Sequence, residues 1–282
     1  MQATIGVIGN GFVGNAVAKG FQGKVSEVRI YDIDKDKCTH GYVDAISSDY
    51  IFVCLPTPMV DAEGGECNLS IIEKFFEELP RIVEGTIIIK STVPVGTTEY
   101  LCEKYPYLKI IHSPEFLTAS NAEEDFIHAD RHIFGGDYEV SYGVRKLFDT
   151  CFPNSPSVSM KSKESELVKY FSNCFLASKL MVFNEMKLLC EEIENIDYET
   201  IIFGVGMDSR IGSSHTTVPG PDGEYGFGGT CFPKDINALI HTMEKHGVNP
   251  LVLKSVWEQN KNYRKNWDWA DNSSAVMSEK IQ

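Results

Sequence analysis

The sequence predicts an α/β fold, with an N-terminal Rossmann-like doubly wound parallel sheet followed by an all-helical domain built on a long central helix. Three observations lead there. Short apolar runs alternate with helical spacing over residues 1–160. The first run is followed at once by a glycine pattern, Gly9-Asn10-Gly11-Phe12-Val13-Gly14. Then "SKESELVKYFSNCFLASKLMVFNEMKLLCEEIENI", from Ser162 on, contains neither Pro nor Gly.

Taken in order, "TIGVIG" is an apolar strand and "GFVGNAVAKGF" has helical spacing. "VSEVRIYD" and "YIFVCLP" read as the next strands, and "LSIIEKFFEELPRIV" as the clearest helix of this half. "TIIIKST", "LKIIHSP" and "RHIFGG" complete the strands. Strands alternating with helices indicate βαβ units and a mainly parallel sheet. In the second domain, 161–282, Ser162 is expected to cap the long helix, with Glu164 and Glu166 at its positive end. Leu167, Val168, Phe171, Phe175, Leu176, Leu180, Met181, Phe183, Met186 and Leu189 cover most of its circumference. A helix apolar on most sides is buried. One face is expected on the first domain and another on a partner subunit, making a homodimer through this helix. Further helices are expected at "DYETIIFGVGMD", "PKDINALIHTMEKHG" and "NPLVLKSVWEQNKNYR". "GSSHTTVPGPDGEYGFGG", with six glycines and two prolines, is a loop, and loops this long inside a domain tend to be functional. The tail after Trp269 is polar and expected to be loose. No internal repeat or low-complexity segment is found.

Composition narrows the function. With 26 basic against 40 acidic residues the net charge is −14, which disfavours nucleic acid or an anionic membrane as the main partner. The longest apolar candidate, Cys174 to Cys190, is broken by Lys179, Asn184, Glu185 and Lys187, well short of the roughly 20 residues a membrane span needs. "MQATIGVIGNG" runs straight into the strand-and-glycine pattern, so no signal peptide is expected. The eight cysteines form no CxxC pair. Reduced thiols in a cytoplasmic protein, with no metal site and no disulfide frame, are the expectation.

The glycine pattern follows a strand, opens a helix and precedes a second strand ending at Asp32, the context the dinucleotide fingerprint requires. Gly9 permits the turn, Gly11 lets backbone approach a pyrophosphate, and Gly14 lets the helix pack on its strand. The helix N-terminus attracts phosphate. Asp32 would accept from the ribose hydroxyls and repel a 2′-phosphate, favouring NAD over NADP. A second site is suggested by "GFGGTCFPKD". Pro233 suits the first position of a helix, which puts Cys231 just before the N-terminus. The dipole and Lys234 would lower its pKa from roughly 8.5 toward neutrality or below, and Gly228 and Gly229 would let a ligand come close. The thiol reads as a nucleophile; a partly buried structural cysteine is the alternative.

At this motif the chain resembles the UDP-glucose/GDP-mannose 6-dehydrogenase family, and "GVIGNGFVG", "YIFVCLPTP", "KSTVPVGTT", "HSPEFL", "ELVKYFSNCFLASK" and "RIG" agree in order. The resemblance covers nearly the whole chain. It implies four-electron, NAD-dependent oxidation of a nucleotide sugar, UDP-glucose to UDP-glucuronate in the first instance. Cys231 resembles the nucleophile that captures the aldehyde as a thiohemiacetal and then carries a thioester. Lys169 and Asn173 match the pair that steadies the sugar's reacting oxygen. Asp235 and Thr92 resemble residues that position water, and Glu115 the base of thioester hydrolysis. Arg210 resembles an arginine that reaches a neighbouring subunit's substrate. Phe116, Leu117, Tyr225, Gly226, Phe227 and Gly228 fall at further substrate positions. The cofactor set extends through Phe12, Val13, Lys37, Pro56, Thr57, Ser91, Thr92 and Lys234, with Lys37 near the adenosine phosphate. Blander roles stay open. Lys169 could pair with Glu166 on a helix surface, Glu115 could be a first-turn carboxylate, Asp235 could serve only the helix dipole, and Arg210 could be a solvated loop residue. His215 is given no role.

Two departures from the family pattern stand out. A second glutamate expected four residues after Glu115 is replaced by Ala119. The family normally continues into another Rossmann-like domain that holds the nucleotide, near whose start this sequence ends; the chain is either a naturally short variant or a fragment. In a short variant the loop Ser213–Tyr225 would take over some nucleotide contacts. Two other functions remain in play: a two-electron dehydrogenase of the 3-hydroxyacid type, and a non-catalytic NAD-binding subunit.

Overall fold

The computed structural model describes residues 1–118 and 121–277; the expected glutamate position, Ala119, lies outside them. The chain divides into two compact units, 1–57 with 69–169, and 58–68 with 170–282. The segment 58–68 groups with the second unit, although it lies between strands of the first.

The first unit opens with β1 (Thr4–Ile8), α1 (Phe12–Phe21), β2 (Glu27–Tyr31), α2 (Tyr42–Ile46) and β3 (Tyr50–Val53). It continues with α3 (Ser70–Glu78), β4 (Thr86–Ile89), α4 (Thr97–Lys104), β5 (Lys109–His112) and α5 (Ala122–Ile127). It closes with β6 (His132–Gly136), α6 (Tyr138–Cys151), β7 (Ser157–Met160) and the first turns of α7 (Ser162–Glu192). The sheet order is β2-β1-β3-β4-β5-β6-β7. All neighbours are parallel except β5 and β6, so the sheet is mostly parallel with a reversed edge pair. The sequence reading missed β7, because "SVSM" is short and only half-buried.

Period-two alternation distributes the core to both faces. Phe52, Ile88 and Ile111 join Phe21 of α1 and Phe148 of α6 in one cluster. Their neighbours Ile51, Val53, Ile87, Ile89 and Ile110 join Ile46, Phe76 and Leu101 of α2, α3 and α4 in the other. Helices on both faces make the sheet doubly wound. α3 stops at Glu78, short of Pro80, since proline disfavours helical backbone in the residue before it.

The start of α7 is tied down within the first unit. Ser162 is its first helical residue and not its cap; the Glu164 carboxylate instead accepts from the Lys161 N–H at 2.9 Å. Glu166 accepts from the backbone N–H groups of Gly96 and Thr98, at 2.6 and 2.9 Å, and so satisfies the N-terminus of α4 from 70 residues away.

The second unit contains the rest of α7, then α8 (Tyr198–Gly206), α9 (Cys231–Lys245) and α10 (Leu251–Tyr263). The tail expected to be loose is held as far as it is described. Trp269 is fully buried, its indole N–H donating to Ala62 O at 3.0 Å. Met59 exchanges backbone hydrogen bonds with Ala275 and Met277. Trp257 likewise donates to Glu63 O at 2.8 Å. These apolar anchors were invisible in a polar-looking tail. Among the described residues no helix is long and apolar enough to cross a membrane, and none of their His, Cys, Asp and Glu side chains group into a metal site.

Candidate active site

Five parallel strands, β1 to β5, present their carboxyl ends along one edge of the first unit, and the sequence hangs its motifs there. Gly9 follows β1, Asp32 follows β2, Pro56 and Thr57 follow β3, Ser91 and Thr92 follow β4, and Glu115 follows β5. β1 lies between β2 and β3, which makes their carboxyl ends the topological switch point where such sheets bind ligands. Gly9 has φ of +90°, and a side chain there would meet Cys54 O at 2.6 Å. A Cβ at Gly14 would run into Gly9 O, so helix and turn could not close. At Gly11 a Cβ would meet nothing among the described residues within 4 Å; they do not require glycine there, and the open space fits a pyrophosphate. α1 starts at Phe12 and Val13 with no side-chain cap and no acidic residue in its first turn, leaving backbone N–H groups for an anion. Asp32 accepts from Asn10 N at 2.6 Å and from Asp34 N at 2.9 Å, which fixes its carboxylate beside the glycine turn. Lys37 is exposed, 3.7 Å from Asp34. Thr57 Oγ1 donates to Thr92 O at 2.7 Å and Ser91 Oγ to Leu55 O at 2.6 Å, stitching the ends of β3 and β4 together. The residues present fit NAD.

Beyond β5 lies a buried ion pair. Lys169 Nζ donates to the Glu115 carboxylate and to its carbonyl oxygen, both at 2.7 Å. Glu115 also accepts from Leu117 N at 2.7 Å. Burial pushes the Glu115 pKa up, but Lys169, this amide and Lys90 outweigh it and hold the carboxyl below its usual range. Phe116 lies under two cations, with Arg131 at 4.3 Å and Lys169 at 5.6 Å from its ring centre. A cavity of about 230 Å³ is walled in part by Lys90, Glu115, Phe116, Leu117 and Arg131.

The second unit carries the thiol. α9 begins at Cys231 itself, with Thr230 before it. Pro233 is thus the third helical residue and not the first, and Cys231 occupies the first turn, half-buried, at the positive end of a 15-residue helix. Asp235 is fully buried between two donors, Asn173 Nδ2 at 2.6 Å and Lys234 Nζ at 2.5 Å. Burial opposes the Lys234 charge; Asp235 above all, then Cys67 and Cys231, raise its pKa overall, so it is a fixed cation. The loop ahead of Cys231 is held by side chains that sequence reasoning missed. Asn184 accepts from Gly226 N at 2.8 Å, and Asn260 pairs with both the N–H and the carbonyl of Phe227. Asp268 accepts from Gly229 N at 2.9 Å and is held in turn by buried Arg264, near the place a Cβ on Gly228 would occupy. Buried asparagines in a helix leave no mark in apolar periodicity.

Other expected residues are placed differently. The Phe227 ring is buried against Phe232 and Trp257, so any ligand contact falls to its backbone. The Tyr225 hydroxyl donates to Glu191. Arg210 is exposed and forms a two-point contact with Asp208.

Residues 38–151 match the NAD binding domain of the UDP-glucose/GDP-mannose dehydrogenase family, and residues 163–262 match its central domain. The chain belongs to that family. Within the UDP-glucose/GDP-mannose dehydrogenases it is 36% identical over 238 residues to the UDP-glucose 6-dehydrogenase of Rickettsia conorii, covering 81% of this chain and 52% of that protein. It is 33% identical over 226 residues to UDP-glucose 6-dehydrogenase YwqF of Bacillus subtilis, covering 76% of this chain and 49% of that one. The chain spans about half the length of the curated relatives it matches. Among solved structures, a UDP-glucose dehydrogenase from Pyrobaculum islandicum superposes with a TM-score of 0.80 at 28% identity, covering 93% of this chain and 68% of that one. A 3-hydroxyisobutyrate dehydrogenase from Mycobacterium tuberculosis shares the fold, with a TM-score of 0.73 at 16% identity over 98% of both chains. Most of the residues that match the family's NAD binding domain belong to the first unit, and NAD is the cofactor.

Proposed function

We propose that the protein oxidises the primary alcohol of a nucleotide sugar to the carboxylate, with UDP-glucose as substrate, in two NAD-dependent steps through a covalent bond to Cys231. The observation that carries this reading is the first-turn position of Cys231 on α9, followed at once by Lys234 and the buried Asp235–Asn173 pair. A pure NAD binder has no use for that set. NAD, when bound, accepts the hydride of each step.

The chain's own residues do the rest. In the first oxidation the sugar's hydroxyl proton passes to solvent water, the carbon gives up a hydride and becomes the aldehyde, and Lys169 supplies a cation for the oxygen as charge develops on it. The aldehyde carbon is then attacked by the Cys231 sulfur. A C–S bond forms, the C=O electron pair moves to oxygen, and Asn173 donates to that oxygen. Loss of a second hydride from the same carbon gives a thioester. Glu115, with Thr92 and Asp235 ordering the water, takes a proton as water adds, and the thiolate leaves with its electron pair. Held as a carboxylate by Lys169, Glu115 is a weak base, suited to accept a proton only as the tetrahedral adduct forms. Arg210 serves a neighbouring subunit's substrate in this reading.

The same reading makes the protein a homodimer. Within the second unit α7 exposes Phe171, Phe175, Val182, Met186 and Leu189. Contiguous apolar surface of this kind marks an interface.

The test is a sugar-nucleotide panel read by NADH absorbance and product mass. Two NADH per sugar and a carboxylate product are expected. One NADH with a carbonyl product favours the two-electron alternative, whose fold is also matched. Cys231→Ser should leave NAD affinity unchanged and fail in the second oxidation, because a serine hydroxyl is a far poorer nucleophile at neutral pH. A Ser variant that yields acid at the wild-type rate removes Cys231 from the mechanism.

A further inference from the structure

Lys90 has no part in the reading above, yet it is among the least usual groups in the molecule. It follows β4 directly, after three isoleucines, and is 3% exposed. Its Nζ donates to Pro114 O at 2.9 Å and approaches Ser113 Oγ at 3.4 Å. The next residue is Glu115. Lys90 also walls the cavity that Glu115 lines.

We propose that Lys90 is a positioning residue of the reaction: its ammonium fixes the Pro114–Glu115 turn and supplies, with Lys169, a second cation to the Glu115 carboxylate. Two of the three hydrogen-bonding contacts described for the Glu115 carboxylate and carbonyl come from Lys169. Lys90 acts on the preceding carbonyl, so the turn is gripped from both sides. A neutral side chain could fill this space. A buried amine here instead gives Glu115 an excess of positive charge, which keeps it ionised while Lys169 also serves a substrate oxygen.

The groups facing Lys90 decide when it carries its charge. Cys54 lies toward it from the end of β3, Glu115 from beyond β5 and Lys169 from α7, with the imidazoles of His112 and His132 on β5 and β6. Asp125, His128, Asp130 and Arg131 line the same cavity. Both histidines are held neutral, with pKa values of about 3. Cys54 is pushed up to about 12, chiefly by burial, and stays a thiol. Burial lowers Lys90 to about 8 against the pull of Cys54 and Glu115, with Lys169 adding to the fall. Its folded pKa lies below that of a free lysine, so the ammonium predominates below about pH 8 and is lost as pH rises through it.

This inference rests on Glu115 being a working carboxylate, and the test keeps the two apart. The first arm needs no turnover. Protein labelled with [13C]glutamate, with Glu115 assigned by E115Q, is titrated by NMR as wild type, K90M and K90R. Loss of the cation in K90M should raise the Glu115 midpoint by about one pH unit, the lower end of the effect of a nearby opposite charge, and K90R should restore it. An unchanged midpoint in K90M overturns the proposal whatever the protein's activity. The second arm is the pH profile of kcat. Wild type should lose activity on the alkaline side near pH 8, the pKa of Lys90. K90R, charged throughout, should carry that limb upward by about one unit or more, while K90M should have a kcat lower by about tenfold without the limb. A K90R limb coincident with the wild type refutes the assignment. Wild type inactive on every nucleotide sugar refutes the proposed function and leaves the first arm standing.

Discussion

Replacing His132 with phenylalanine should remove a defined part of the acid sensitivity of the first unit. His132 sits on β6 among aromatic rings, with centroid distances of 4.7 Å to Phe148 and 5.6 Å to Phe152, and its Nε2 is buried without a hydrogen-bond partner among the described residues. Burial, then the charge of Lys90, lower its pKa to about 3, with Asp149 opposing weakly. The folded pKa is depressed below the unfolded one, so between them the unfolded chain binds the extra proton. Stability is therefore fully present above the unfolded value of about 6.5 and lost as pH falls from there. From about pH 7 to about pH 5 the single imidazole costs about 2 kcal/mol. His112, also held at about 3, adds a second such loss in wild type and variant alike. A phenylalanine fits the aromatic setting and cannot titrate. Urea unfolding followed by far-UV circular dichroism at the two pH values gives the comparison. All three tryptophans, Trp257, Trp267 and Trp269, belong to the second unit, so fluorescence reports that unit and serves as an internal control. The variant should lose about 2 kcal/mol less than wild type over this range. Equal losses would refute the claim that His132 is buried neutral.

The glycine turn makes opposite demands at two positions. Gly11→Val should abolish NAD binding in calorimetry while leaving the melting temperature within a degree or so, about the effect of a surface substitution; Gly14→Ala should lower the melting temperature, because its Cβ has no room against Gly9 O. NAD should bind more tightly than NADP, and Asp32→Ala should narrow the gap; equal affinities in the wild type would mean that Asp32 does not read the ribose. Light scattering at micromolar concentration should give twice the mass of one chain, and Phe175→Asp, at a position 68% exposed, should halve it.

Much of the fold was legible because it is written in period. The alternation in "YIFVCLP" and "TIIIKST" put successive side chains on opposite faces of one sheet, and the glycine pattern identified the turn between β1 and α1. The same local signals placed the helix start within two residues of Cys231, where α9 in fact begins. What could not be read depends on distance along the chain. Glu166 looked like a dipole carboxylate of its own helix and in fact caps α4. Lys169 faces Glu115, 54 residues away. Lys90 ends an apolar run as many strand-end lysines do, and nothing in "IIIKST" says that its amine turns inward. Ser162 and Pro233 were each misplaced within their helices by local cap preferences that the neighbouring residues override. The tail from Trp269 to Met277 reads as polar, and its indole and backbone partners lie about 200 residues upstream, in the segment 58–68.

That segment bears on how the chain is made. Residues 58–68 leave the ribosome long before Trp257, Trp269 and Ala275, to which they are bonded across separations of 194 and 207 residues at the two indoles. At synthesis rates of about 5 to 20 residues per second, the wait is roughly ten to forty seconds. During it the strands of the first unit, the last of which ends at Met160, can complete their sheet, while Met59 waits for its backbone partners Ala275 and Met277. Contacts of such high sequence separation are slow to form. The second unit is therefore expected to be the late and rate-limiting step of folding, and a nascent chain stalled before Trp257 should be cut by protease within 58–68, where the full-length chain resists.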